Sequence, residues 1–223
     1  MIESAPLWLT LKLAFFTTLI LFFVAIPLAN WLASKKNIFK TIAEVIVSMP
    51  LVLPPSVIGF YMLLAFSPGN AFGEFLEKYF RVKLVFSFEG LLIASIIYSL
   101  PFMVHPIQSG LSSLSPSLKE ASYSLGKTKW QTLIKVLLPN IKSSLLTGIV
   151  LTFAHTVGEF GVVLMIGGNI PGKTRTASVA IYDEVEAFNY HSANVYAVIL
   201  IVLSFLILFI MYLLNRKIQV KYL

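Results

Sequence analysis

The sequence has 223 residues, of which 57% are hydrophobic and only 12% charged, against roughly 25% charged in ordinary soluble domains. So few polar residues cannot cover a globule in water, which points to one domain in lipid and excludes a soluble enzyme. There are no cysteines, and His105, His155 and His191 are scattered, which excludes a disulfide framework, a thiolate metal site and a cysteine nucleophile.

A helix needs about 20 apolar residues to cross the hydrocarbon core. Lipid favours helices for such stretches because their backbone hydrogen bonds are internal. About five occur, so the expected fold class is an all-α integral membrane protein. Met1 to Pro6 carries Glu3 and no basic run. The apolar stretch after it lacks a small-residue cleavage site, so residues about 7–33 read as a retained first span. The second stretch, about 42–66, contains Pro50, Pro54, Pro55 and Gly59. Each proline removes a backbone donor and clashes with the preceding turn. A kink at a packing contact and a bent helix lining a pathway are both open readings. The third stretch, about 91–110, contains Pro101 and Pro106. The fourth runs about 141–166 and the fifth about 193–214.

The loops alternate in charge. Lys35, Lys36 and Lys40 follow the first stretch. Lys119, Lys127, Lys129, Lys135 and Lys142 follow the third, and Arg216, Lys217 and Lys221 follow the fifth. Glu3, then Glu74, Glu77 and Glu89, then Asp183, Glu184 and Glu186 fall on the other side. Lys78, Arg81, Lys83, Lys173 and Arg175 run against this pattern. The positive-inside rule puts the basic loops in the cytoplasm, the amino terminus outside and the carboxyl terminus inside. The formal charge of +7 is thus explained by topology, and no nucleic-acid partner is expected.

The loop 111–139 has its own pattern. Ser115 is an N-cap candidate with Pro116 in the first turn. Leu118, Ala121, Tyr123 and Leu125 can form an apolar face, and Gly126 can end the helix. Thr128 can cap a second helix with Trp130, Leu133, Ile134, Leu137 and Leu138 on its apolar side. Two short amphipathic helices at the cytoplasmic surface fit this order.

The run Glu120-Ala121-Ser122, three residues, Gly126, nine residues, then Val136-Leu137-Leu138-Pro139 resembles the EAA loop of ABC importer permeases. The spacing matches throughout, and Ser122 stands where the family pattern has alanine. The resemblance implies the type I importer permease fold. It also implies a chain in the plasma or inner membrane with a cytoplasmic coupling loop (Glu120, Ala121, Ser122, Gly126, Leu138, Pro139) that docks on an ATP-binding subunit, present in two copies. On this reading Glu120 offers charge to the partner, and Gly126 permits a turn where a side chain would clash.

Three further stretches are similar to the molybdate subfamily, with sulfate and tungstate permeases close by. They are Leu51 to Phe60, Gly158-Glu159-Phe160-Gly161, and Gly168 to Thr176. They imply a tetrahedral oxyanion delivered by an external binding protein. The candidate pathway and gate residues are Pro54, Pro55, Ser56, Gly59, Gly158, Glu159, Gly161, Asn169, Thr174 and Arg175. Backbone N–H groups at glycine-rich turns suit a dianion. Glu159 would repel one, so pairing with a helix end or a basic residue is expected for it, and His155 shares its helix face.

No Gly-x-x-x-x-Gly-Lys-Ser/Thr loop occurs. The chain is therefore not expected to be an enzyme or to carry a cofactor or metal, and ATP and Mg belong to the partner. About five spans are too few to enclose a pathway, so a homodimer is expected. An ion-gradient transporter is the rival reading, although no internal repeat supports it.

Overall fold

The computed structural model describes residues 3–34 and 37–220, with side chains as far as Asn215. Lys35, Lys36 and Lys221 lie outside the described residues, as do the side chains of Arg216 and Lys217. The described residues are helical with short connections.

Three long helices form the centre: α1 (Ala5–Leu32), α5 (Phe88–Ser113) and α9 (Lys142–Val157). Their contact faces carry small residues, so the backbones come close, as lipid-embedded packing requires. On α1 the buried face runs through Thr10, Ala14, Thr17, Leu21, Ala25, Ala29 and Leu32, at spacings of three and four. Gly110 on α5 sits against Ser144. Gly148 on α9 lies under Met103, where an added Cβ would meet the Met103 carbonyl oxygen at 3.2 Å. Ser87 caps α5 by accepting from Gly90 N–H at 3.1 Å. The last helix, α12 (Tyr190–Val220), is the most apolar, and little of it is buried. Most of its side chains lie on the outside of the bundle.

The second stretch is two helices. α2 (Ile38–Val52) and α3 (Pro55–Phe66) meet at 112°. Pro54 and Pro55 have no N–H to continue α2, while Pro55 with its fixed φ suits the first position of α3. Pro50, by contrast, sits inside α2 without ending it.

The stretch expected as one span over about 141–166 is also divided. α9 stops at Val157, residues 158–160 leave the helix, and α10 (Gly161–Gly167) starts afresh. Hydropathy cannot show this break because both halves are apolar. Its cause is tertiary: Glu159 turns its side chain to Ser95 of α5, and its carbonyl accepts from Ser178 Oγ at 2.5 Å.

Between α5 and α9 lie α6 (Pro116–Ser124), α7 (Lys129–Thr132), a π-helical turn (Leu133–Leu137) and α8 (Leu138–Asn140). The run Lys129–Asn140 meets α9 at 82°. Pro139 cannot donate to the helix and crowds the turn before it. The wider π turn absorbs that, and Leu138 N–H bonds back to Leu133. At the opposite end two helices appear where only loops were expected, α4 (Ala71–Phe80) and α11 (Ala177–Glu186).

Two apolar clusters hold the bundle. One, at the α6–α8 end, joins Leu21, Ala25, Met103, Ile107 and Leu111 to Leu133, Leu137 and Ile141. The other joins Leu13, Met62, Leu91, Val162, Val163, Ile166 and Val179. Gly148→Leu should overpack the α5–α9 contact by about 1–3 kcal/mol and lower the thermal midpoint in detergent. Gly158→Ala meets its nearest atoms only at 3.8 Å and should leave that midpoint unchanged.

Candidate functional site

Residues 115–140 form an elbow on one end of the bundle. Ser115 caps α6 through Ser117 N–H, and Thr128 makes a capping box with Gln131, which satisfies the free donors at both helix starts. α6 stops in a Schellman turn. Lys127 N–H reaches Ser122 O at 3.1 Å and Gly126 N–H reaches Tyr123 O at 2.9 Å, with Gly126 at φ +74°. A Cβ on Gly126 would meet nothing within 4 Å in this chain. Within this chain it is the positive φ that calls for glycine here.

The elbow's burial is inverted relative to a soluble helix pair. Ser122 and Thr132 are buried and share a 2.8 Å hydrogen bond that ties α6 to α7. Trp130, Ile134, Tyr123 and Leu125 are exposed, Leu125 at 78%. Glu120, Ala121 and Pro139 are exposed beside them, and Leu138 is half-buried. The apolar face read from the sequence therefore splits. Leu133 and Leu137 enter the core with α1 and α5, and the rest points away. Ser122, the departure from the alanine pattern, has its explanation in Thr132.

The pathway candidates fall into two groups. Pro54, Pro55, Ser56 and Gly59 begin α3, and Gly158, Glu159 and Gly161 surround the break before α10. The two helix starts touch: a Cβ on Gly161 would lie 2.8 Å from Pro55 Cβ and 3.6 Å from Ser56 N. Gly59 packs on Met165 and Val162, where a Cβ would come within 2.8 Å of Met165 Cβ. Two positive helix ends thus converge inside the apolar region.

The second group, Asn169, Thr174 and Arg175, lies in the loop after α10 and is bonded within it. Arg175 Nε donates to Asn169 Oδ1 at 2.7 Å, and its guanidinium pairs with Asp183 at 3.1 Å. Asn169 in turn donates to Asp183 at 2.9 Å. Thr174 Oγ1 donates to Gly167 O at 2.6 Å and accepts from Ile170 N–H. In this conformation these groups shape the loop.

Glu159 is 4% exposed. Ser95 Oγ donates to its Oε2 at 2.8 Å, and Oε1 has no partner among the described residues. Among the described residues the expected helix-end or basic partner is absent. A serine hydroxyl takes that place. His155 bonds Ser99 at 3.0 Å and stacks on Phe102 with ring centroids 3.9 Å apart, so it is not the partner of Glu159. Sequence reading missed the continuation of this polar line. His105 meets Ser48 at 3.1 Å, and Gln108 donates to Glu44 at 3.0 Å. Glu44, His105, Gln108, Ser109 and Ser112 line an open recess of about 610 Å³. Ser95, Ser99, His105 and Gln108 are four, six and three residues apart on α5, which spreads them over about half the helix circumference, so no single stripe in the sequence marked them.

Residues 14–220 match the family model described as the binding-protein-dependent transport system inner membrane component. The chain belongs to this family. It is 43% identical over 210 residues to the molybdenum transport system permease protein ModB of Azotobacter vinelandii, covering 94% of this chain and 93% of that one. It is 35% identical over 170 residues to the sulfate transport system permease protein CysT of Escherichia coli K12, covering 76% of this chain and 61% of that one. A solved bacterial ABC transporter involved in import of the acidic polysaccharide alginate shares the fold, with a TM-score of 0.79 at 18% identity over 96% of this chain and 79% of that one. The permease is an integral inner-membrane subunit of an ATP-driven importer, and ATP hydrolysis belongs to a separate subunit.

The Ser122–Thr132 link makes a test of the elbow. Ser122→Ala or Thr132→Val alone strands a buried hydroxyl and should cost about 1–3 kcal/mol. The double replacement removes both groups and should recover most of that loss, read as thermal midpoints in a double-mutant cycle.

Proposed function

We propose that this permease moves a tetrahedral oxyanion, most readily molybdate, from an external binding protein to the cytoplasm. The observation that carries the reading is the 43% identity to a molybdenum permease over nearly the full length of both chains. The likeness to a sulfate permease is consistent with the shared tetrahedral dianion and makes sulfate the second reading.

The elbow faces the cytoplasm and rests on the ATP-binding subunit, of which the assembly holds two copies. Its exposed Tyr123, Leu125, Trp130 and Ile134 give the partner an apolar surface, with Glu120 on its rim. Leu133 and Leu137 belong to the same packed cluster as α1 and α5. A displacement of the elbow by the partner therefore moves the inner ends of those helices, and packed elements of this kind shift as rigid bodies. Two copies of the chain enclose the path, with the amino terminus outside.

The touching starts of α3 and α10 contribute unpaired N–H groups and positive dipole ends. Glycine at 59 and 161 lets the two helices meet, and the pathway runs past this contact. Glu159, held behind it by Ser95, fixes the break and does not bind the anion. Asn169, Thr174 and Arg175 hold the outer loop that receives the binding protein.

Gly126→Asp separates folding from coupling. Aspartate tolerates the left-handed conformation better than most residues, so the turn, membrane insertion and thermal midpoint should persist. ATP-driven uptake of labelled molybdate in proteoliposomes should fall more than tenfold. Undiminished uptake in the variant, or uptake without ATP, overturns the reading. Competition among molybdate, tungstate and sulfate identifies the preferred anion.

A further inference from the structure

The helix α4 (Ala71–Phe80) is not absorbed by the transport reading. It joins the end of α3 to the start of α5 and stands at the bundle's end opposite the elbow. Its first turn is clamped to α3. A Cβ on Gly73 would lie 2.0 Å from Ser67 O, so only glycine fits there.

At about 100° per residue, the helix shows three faces. Gly73, Leu76 and Glu77 turn toward the bundle, where Gly73 is buried and the other two are half-buried. Phe72, Phe75 and Tyr79 lie on one flank, and all three are exposed. Glu74 and Lys78 lie on the opposite flank, also exposed. The rings pack in two groups along the helix. Phe66 meets Phe72 with centroids 6.0 Å apart, and Phe75 meets Tyr79 at 4.9 Å. Under the helix is an apolar cavity of about 480 Å³, lined by Leu63, Phe66, Leu76, Val82, Leu84 and Phe86. At its edge Lys83 pairs with Glu77 at 2.9 Å.

We propose that α4 is an interfacial helix whose aromatic flank enters the outer lipid leaflet, with its charged flank in water. The disposition of the faces selects lipid over a protein partner. The aromatic and charged flanks stand on either side of the bundle-facing edge, as they must when a helix lies on the rim of a membrane protein with lipid below it and water above. Both neighbours in the chain hold it at that level, since α3 and α5 are apolar segments that end within eight residues of it. Phenylalanine and tyrosine are suited to this boundary, where the rings sit at headgroup depth, about 5–10 Å into the interface.

The anchor has a mechanical consequence. The segment after α4 carries Phe86, whose N–H bonds Ile166 O of α10 at 2.9 Å and whose ring lies under Gly168. α4 therefore ties both broken helices, α3 and α10, to the bilayer surface.

The absence of native cysteine allows a clean test. Phe75→Cys, Tyr79→Cys and Lys78→Cys are spin-labelled singly in the assembled transporter, reconstituted in phosphatidylethanolamine and phosphatidylglycerol vesicles. Collisions with oxygen and with a water-soluble nickel chelate are then compared. Labels at 75 and 79 should favour oxygen by several-fold and report a depth just below the phosphates, whereas a label at 78 should favour nickel. Nickel access at 75 and 79 equal to that at 78 overturns the proposal by placing the flank in water. Shielding of 75 and 79 from both reagents overturns it in favour of a protein cover. Neither readout depends on which anion is carried, so a failure here is distinct from a failure of the transport reading.

Discussion

A helix that stops inside lipid exposes N–H and C=O groups to a solvent that cannot bond them, at a cost of several kcal/mol each. This chain stops helices at two such places, after α2 and after α9, and hydroxyl side chains from other elements supply partners near the second. Ser178 donates to the Glu159 carbonyl, Thr174 donates to the Gly167 carbonyl and accepts from Ile170 N–H, and Thr10 accepts from Ala177 N–H at 2.8 Å. Ser87 closes on the Leu84 carbonyl in the same way. Backbone bonding in trans covers what remains, with Phe86 N–H on Ile166 O. Prolines hold the first break open, and without these hydroxyls the backbone groups beside the second would be left unbonded.

The same constraint explains why the elbow lies outside the apolar bundle and is joined to it through apolar side chains, Leu133 and Leu137 with Val136 and Leu138 beside them. Its capped ends, Schellman turn and capping box are satisfied locally, so the elbow keeps its shape when moved. Its two inward leucines, 133 and 137, reach the cluster that binds α1 to α5. The inward polar pair, Ser122 with Thr132, adds a directional link that packing alone would not. An element rigid in itself and coupled to the bundle at one apolar contact is a means of transmitting displacement. The exposed apolar residues on its other side give a partner something to hold.

Much of the fold could be read along the chain. Apolar runs of spanning length marked α1, α5 and α12, and prolines at 54 and 55 marked the bend between α2 and α3. Ser115, Gly126 and Thr128 marked every boundary of the elbow, because caps are local chemistry. The division after Val157 was not legible. Glycines flanking Glu159 were visible, but the serine at 95 that turns its carboxylate aside comes from another helix. Nor was the partition of the elbow's apolar residues legible. The π turn rotates Leu133 and Leu137 inward relative to Trp130 and Ile134, and a helix drawn at 3.6 residues per turn puts all of them on one side. Helix α4 was hidden because ten residues with aromatic and charged flanks look like a polar loop when scanned for spans.

Composition and hydrophobic run length determined by themselves that this is a lipid-embedded helical protein with a surface elbow, and the Glu120–Pro139 pattern, through its resemblance to a family loop, marked it as a permease. Those features act locally or through the solvent, and neither needs a fold to be expressed. Only the tertiary structure decided which polar residues meet: Glu159 with Ser95, His155 with Ser99, His105 with Ser48, Gln108 with Glu44. Each of these pairs joins residues more than fifty positions apart. Their encounter depends on how α2, α5 and α9 pack, and a linear pattern of side chains carries no information about that packing until the glycines and small residues between the helices bring the backbones together.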